Sequence, residues 1–171
     1  MTAVANAWRS AARTDTGKVR AQGVEVEISG EVLERLQVSG GYTYTQTKSL
    51  KNIDTALEGG TSNTYVPRHM LRMWGDYPLD GALSKWSVGA GVNAQSSNYR
   101  VQTIKLEQAG YATWSARMAY RLDDTWTVAL NGNNLFDKSY YNTVGTASWG
   151  NFYGEPRNFT VSLKSNFCSG K

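Results

Sequence analysis

Near its carboxyl end the chain reads "NFTVSLKSNF", and apolar and polar side chains take turns along it. Phe159, Val161, Leu163 and Phe167 fall on one face, and Thr160, Ser162, Lys164 and Asn166 on the other. Side chains that alternate with period two mark a strand with one oily and one polar face. Six further segments repeat the pattern. Val24, Val26 and Ile28 oppose Glu25, Glu27 and Ser29. Leu36, Val38, Tyr42 and Tyr44 oppose Gln37, Ser39, Thr43 and Thr45. Leu71, Met73 and Tyr77 oppose Arg68, Arg72 and Asp76, and Trp86, Val88, Ala90 and Val92 oppose Ser87, Gly89, Gly91 and Asn93. Trp114, Ala116, Met118, Tyr120 and Leu122 oppose Thr113, Ser115, Arg117 and Arg121; Trp126, Val128 and Leu130 oppose Thr127, Ala129 and Asn131. Helical periodicity is weak throughout. The prediction is an all-β chain of seven antiparallel strands, or eight if the poorly alternating residues 2–13 form another.

The connections alternate as well. "GEVLER", "LDGALSK" and "DDT" are short, whereas the stretches 46–65, 96–110 and 136–155 are long and rich in Asn, Ser, Thr, Gly and Tyr. Short links at one end of a meander and long loops at the other fit a transmembrane β-barrel segment, with periplasmic turns below and extracellular loops above. In that frame the last strand descends to the periplasmic end. A mean hydropathy of −0.47 does not oppose this, because each apolar register is diluted by a polar one. No run is long enough for a membrane helix.

Charge placement supports a lipid-facing register. Glu25, Glu27, Arg68, Arg72, Asp76, Arg117, Arg121 and Lys164 all sit on the polar side of their strands. Arg20 and Arg157 are exceptions, both near long-loop ends. A basic residue on the lipid face near midplane would cost about 2–4 kcal/mol. Aromatics sort to the two ends of the apolar register, as in the girdles of a bilayer protein. Tyr77, Trp86, Tyr120, Trp126 and Phe167 lie toward the short turns, and Tyr42, Tyr44, Trp114 and Phe159 toward the long loops. A soluble sandwich or lipocalin-like barrel that binds a small apolar ligand would alternate too, but its core does not require aromatics sorted to both ends.

Composition removes other classes. The net charge of +4 is scattered rather than gathered into a stripe, so no nucleic-acid partner is expected. Cys168 is the only cysteine, which leaves no internal disulfide. The amino-terminal residues show no signal-peptide pattern. His69, the only histidine, has no neighbour at metal-ligand spacing. Glu25 and Glu27 belong to a polar face, and neither a nucleophile elbow nor a phosphate-binding glycine loop is present, so no enzyme is expected. Gly89 and Gly91 would make room on the inner face or ease curvature.

Two stretches are more specific. "NGNNLFDKSYYNT", followed by "GNFYGEPRNFTVSLKSNF", resembles the end of TonB-dependent ferric-siderophore receptors, and "GKVRAQGVEVEISGEVLERLQVSGGYTYTQT" resembles an earlier strand pair of the hydroxamate- and pyoverdine-type members. The resemblance covers residues 17–167 and leaves a poorly defined segment, 1–16, and a tail, 168–171. It implies the last third of an outer-membrane barrel of about 22 strands in a Gram-negative cell. It also implies a plug that contacts TonB, a ferric siderophore as ligand, and iron carried within that ligand, with no cofactor. Neither plug nor TonB-binding box is visible here, so the segment alone is not expected to transport. The terminal Phe167 resembles the signal read by the outer-membrane assembly machinery, from which "CSGK" departs by continuing. A self-closed eight-stranded barrel with a structural or adhesive role is the alternative.

In such receptors aromatic loop residues contact the ligand, which makes Tyr65, Tyr99, Tyr140, Tyr141, Trp149 and Tyr153 the binding candidates. Asn131, Asn133 and Asn134 would end their strand and organise its turn, or face a plug. Glu155 and Arg157, flanking Pro156, read as a loop anchor or ion pair.

Overall fold

The computed structural model describes residues 1–14, 17–62, 64–101, 105–145 and 149–166. Its main strands are β1 (Thr2–Thr14), β2 (Gly17–Leu33), β3 (Leu36–Asn52), β4 (His69–Pro78) and β5 (Trp86–Gln95). Two short strands follow, β6 (Asn98–Val101) and β7 (Lys105–Gln108), then β8 (Tyr111–Arg121) and β9 (Trp126–Asn133). The chain ends on β10 (Tyr141–Thr143), β11 (Phe152–Tyr153) and β12 (Asn158–Ser165). Eight of these form one antiparallel sheet in the order β1-β2-β3-β4-β5-β8-β9-β12, and β6–β7 and β10–β11 make separate hairpins. β1 and β12 remain the two edges, so the sheet is open.

Register sorts the side chains into rows. Val26, Tyr42, Leu71, Ala94 and Ala112 lie side by side on one face. Glu27, Gly41, Arg72, Asn93 and Thr113 make the next row, on the other face. The polar face is concave: a trough of about 650 Å³ runs over it, lined by Glu25, Glu27, Thr43, Arg72, Trp74 and Asn93 among others. The outer face is bare, with Trp114 47% and Val161 71% exposed. The buried hydrophobic residues among those described are only Ala119, Ala129 and Val144. A soluble sandwich would bury its apolar register; here that register points outward, where lipid is the apolar solvent.

The short connections are held by local bonds. Arg35 turns at a positive φ of 70°, and its N–H donates to Glu31 Oε1 at 2.6 Å. Its guanidinium pairs with Asp80 of the next short turn. Asp123 Oδ1 accepts from the N–H groups of Thr125 and Trp126, both at 2.8 Å.

One open alternative resolves and one expectation changes. Residues 2–13 belong to a full strand despite their poor alternation, since β1 pairs with β2 residue for residue from Thr2 to Thr14. The connection expected at 46–65 begins in strand, because the β2–β3 ladder continues to Gly17 opposite Asn52. At about 3.3 Å per residue these 17-residue strands overrun an apolar band about 25 Å tall. The other two long connections each contain a hairpin. Phe167 and the tail lie outside the described residues.

Candidate functional site: the rim and the inner wall

The long connections knit into a rim above the concave face. Asn98, buried at the start of β6, donates from Nδ2 to the Tyr65 carbonyl at 2.8 Å. The Tyr99 N–H donates to the Thr64 carbonyl at 2.9 Å. Ser96 Oγ accepts from the N–H groups of Arg68 and His69 at 3.0 and 3.1 Å. Between these segments lies a polar crevice of about 290 Å³, lined by Thr45, Thr47, Thr61, Arg68, Tyr99 and Glu107 among others. Tyr65, between the lining residues Thr64 and Val66, lies under the Arg100 guanidinium, 5.8 Å from the ring centroid, within cation–π range.

The second half of the rim folds over the inner wall. Tyr140 stacks on Tyr111 with centroids 4.2 Å apart and rests against Gly154, where a Cβ would collide with its ring. The Tyr141 N–H donates to Gln108 Oε1 at 2.9 Å. A trough of about 400 Å³ below is lined by Arg72, Asn93, Gln95, Thr113, Tyr111 and Tyr140, with Asn142 at its edge. Tyr141 and Tyr153 form a separate stacked pair, 4.6 Å between centroids. The Tyr141 hydroxyl donates to that of Tyr153 at 3.1 Å. This bond, with the proximity of a second phenolate, raises the Tyr141 pKa above its usual value.

The six loop aromatics therefore do not form one site. Tyr99 borders the crevice, Tyr65 lies under Arg100 outside the crevice lining, Tyr140 borders the trough, Tyr141 and Tyr153 pair with each other, and Trp149 is 75% exposed on the connection between β10 and β11. What sequence reading left out of the site is the inner-wall group Arg72, Asn93, Gln95, Tyr111 and Thr113. Its signal was present, since strand parity places these residues on the polar register.

The two specific sequence stretches meet in space. Asn134, at φ 48°, is buried. Its Nδ2 donates to the carbonyls of Lys138 and Glu155, both at 2.9 Å, and its Oδ1 accepts from the Lys138 N–H. Asp137 Oδ1 accepts from the Arg157 N–H at 3.0 Å. Glu155 Oε2 accepts from Asn158 rather than from Arg157. "NNLFD" thus clamps the approach to β12. Asn131 and Asn133 do something else: they bridge to Ser162 and Asn158 across the inner face.

On the same wall Trp74 lies across Gly89 and Gly91; a Cβ at Gly89 would stand 2.7 Å from the indole. The space left by the glycines is filled by this ring. Trp74 Nε1–H donates to Asp76 Oδ2 at 2.8 Å, and Arg117 reaches Asp76 Oδ1 at 3.3 Å.

On the outer face, Trp86 and Tyr120 pack with centroids 4.7 Å apart near the short turns, where register also puts Tyr77 and Trp126. Tyr42, Tyr44, Trp114 and Phe159 share that face higher up. His69 joins them: its Nδ1 is 2.8 Å from the Tyr42 hydroxyl, and its ring is 5.1 Å from that of Tyr44. Among the described residues no cluster of three His, Cys, Asp or Glu side chains could hold a metal.

Comparison with known proteins agrees with this geometry. The profile of the TonB dependent receptor-like β-barrel family matches residues 2–135. The ferric-pyoverdine M114 receptor PbuA of Pseudomonas sp. strain M114 is 58% identical over 161 residues, 92% of this chain and 20% of the receptor. The ferripyoverdine receptor of Pseudomonas aeruginosa is 32% identical over 157 residues, 88% of this chain and 18% of its own length. The crystal structure of the latter bound to ferripyoverdine superposes with a TM-score of 0.76 at 30% identity, covering 88% of this chain and 20% of that one. The ferric-catecholate import receptor Fiu of Escherichia coli K12, in its closed form, gives a TM-score of 0.79 at 27% identity, covering 96% and 25%. The chain spans about a fifth of the length of the curated relatives it matches.

Proposed function

The chain belongs to the TonB-dependent receptor β-barrel family, a family of Gram-negative outer-membrane receptors, and from that premise we propose that it forms the ligand-facing wall of a ferric-siderophore importer. The observation that carries the reading is the division of one open sheet into a lipid-facing apolar side and a concave polar side roofed by aromatic loops. Exposed backbone groups on the free edges of β1 and β12 must be satisfied inside a bilayer. Further strands of the same receptor supply those bonds, and the outer-membrane assembly machinery brings them together. The concave face lies against a plug, through which TonB delivers energy.

The ligand is a ferric siderophore of the pyoverdine class, approached from the rim. Iron stays inside the chelate, so the wall contributes recognition rather than metal ligation, and no cofactor is needed. Tyr65, Tyr99 and Tyr140 offer broad apolar contact with a polar tip, while Arg72, Asn93 and Thr113 present charge and hydrogen bonds below them.

The test is a chimera in which this chain replaces the matching 161 residues of the M114 receptor, in a host lacking its own pyoverdine uptake. Growth on ferric pyoverdine as sole iron source, with radioiron uptake that needs TonB, is the expected result. A chimera that shows the heat-modifiable mobility of a folded barrel, yet neither binds nor imports any ferric siderophore, overturns the proposal.

A further inference from the structure

Two stacked tyrosine pairs stand in the second half of the rim, and they differ at the hydroxyl end. Tyr111 and Tyr140 have centroids 4.2 Å apart and planes 27° apart, but among the described residues no hydrogen bond joins their hydroxyls. Tyr141 and Tyr153 have centroids 4.6 Å apart and planes 25° apart, within the range of offset stacking. Their hydroxyl oxygens are 3.1 Å apart. That separation is shorter than the one between centroids, so the two rings lean together at the edge that carries the oxygens. The carbons ortho to the hydroxyls lie along that edge, and they are the positions at which two tyrosyl radicals couple.

The surroundings suit that reaction. Tyr153 is 72% exposed, and the long loops of an outer-membrane barrel face the outside of the cell, so a diffusible oxidant reaches the ring. The Tyr141 hydroxyl already donates to the Tyr153 oxygen, which gives its proton a path as its electron leaves. The hairpin has little else to hold it. β10 and β11 share two residue pairs with a register shift between them. Beyond these, the Gly154 N–H donates to the Tyr140 carbonyl at 2.8 Å, and the Gly145 N–H to Asn151 Oδ1 at 2.9 Å. A covalent link between Tyr141 and Tyr153 would fix the register that seats Gly154 against the Tyr140 ring, at the mouth of the trough.

We propose that Tyr141 and Tyr153 form an oxidative cross-linking site, joined through their ortho carbons when the cell surface meets hydrogen peroxide and a haem peroxidase. Each phenol loses one electron and its hydroxyl proton and becomes a phenoxyl radical. The radicals pair to form one carbon–carbon bond, and the two displaced ortho hydrogens restore the hydroxyls as the rings regain aromaticity. The net loss is two hydrogen atoms, which reduce one peroxide to two waters. The product staples the rim hairpin shut. The inference rests on the extracellular placement of the long loops and is independent of which ligand the receptor carries.

The test uses the purified chimeric receptor described above, in neutral detergent, treated with hydrogen peroxide and a haem peroxidase. Dityrosine fluorescence should appear, and the tryptic peptide from Ser139 to Arg157 should become lighter by two hydrogens. Fragmentation should place the bond between Tyr141 and Tyr153. Tyr141→Phe and Tyr153→Phe should each abolish the mass change in this peptide, and Tyr140→Phe should retain it. Equal yield in receptor boiled before oxidation, a bond assigned to Tyr140 or Tyr111 instead, or no mass change under conditions that couple free N-acetyltyrosine would each overturn the proposal. Heat-modifiable mobility shows that every variant is folded before treatment. The readout is a mass, so failure of the import reading leaves it untouched.

Discussion

Two rows on the concave wall carry the same chemistry in the same order, a carboxylate, a glycine and an arginine on adjacent strands. In one, Asp76 of β4 faces Gly89 of β5, which faces Arg117 of β8. In the other, Glu27 of β2 faces Gly41 of β3, which faces Arg72 of β4. The first row is closed by an ion pair across the glycine. The second is open; Glu27 and Arg72 line the trough without pairing. The difference is Trp74, whose indole covers Gly89 and Gly91 and donates to Asp76, holding the carboxylate where Arg117 can reach it. No ring covers Gly41, where an added Cβ would meet nothing nearer than Glu27 Cγ at 3.9 Å. A closed row stiffens the wall toward the short-turn end; an open one leaves two opposite charges free to meet what occupies the lumen.

The sharpest break of this contrast is steric. In the detergent-refolded receptor carrying this segment, Gly89→Ala should cost about 1–3 kcal/mol, the usual penalty of overpacking. Gly41→Ala should stay within about 0.5 kcal/mol; urea unfolding followed by tryptophan fluorescence reads both. Equal losses at the two glycines would mean that Trp74 does not distinguish the rows.

Electrostatics should show a smaller effect in the same direction. A double-mutant cycle with Asp76→Asn and Arg117→Gln should give a coupling of up to about 1 kcal/mol, because both side chains are 32% exposed and partly screened. The matching cycle at Glu27 and Arg72 should give a coupling near zero until the lumen is occupied. Coupling at the second pair in an empty lumen would show that its open geometry does not persist.

The smallest effect extends the comparison to the rim, where Tyr141 and Tyr153 are closed upon each other. With the Tyr141 pKa raised in the folded protein, the pair's contribution is fully present below the ordinary phenol value of about 10. It is lost as pH rises through the raised value. Tyr153→Phe should bring Tyr141 back toward ordinary titration, read as phenolate absorbance; an unchanged titration curve would refute the link.

Much of this was legible from order along the chain, and the physical reasons differ by region. Period-two alternation needs no knowledge of neighbours, so the two faces of β2, β5, β8 and β12 could be read directly, along with the alternation of short and long connections. "NNLFD" and "YGEPRNF" could be recognised, but not that one clamps the other through Asn134 and Asp137. β1 was obscure because its outer register begins with Ala3, Ala5, Ala7 and Arg9 where other strands carry large apolar groups; it is a strand because β2 supplies thirteen partners in register. The rim was least legible. Which tyrosines pair, which border a cavity and which stay exposed depends on how loops far apart in sequence cross, and no local periodicity encodes a crossing. By itself, then, the sequence determined which side of each strand meets lipid, since that is a property of consecutive residues. Only the tertiary structure decided what each inward side chain touches, since strand register sets neighbours tens of residues apart.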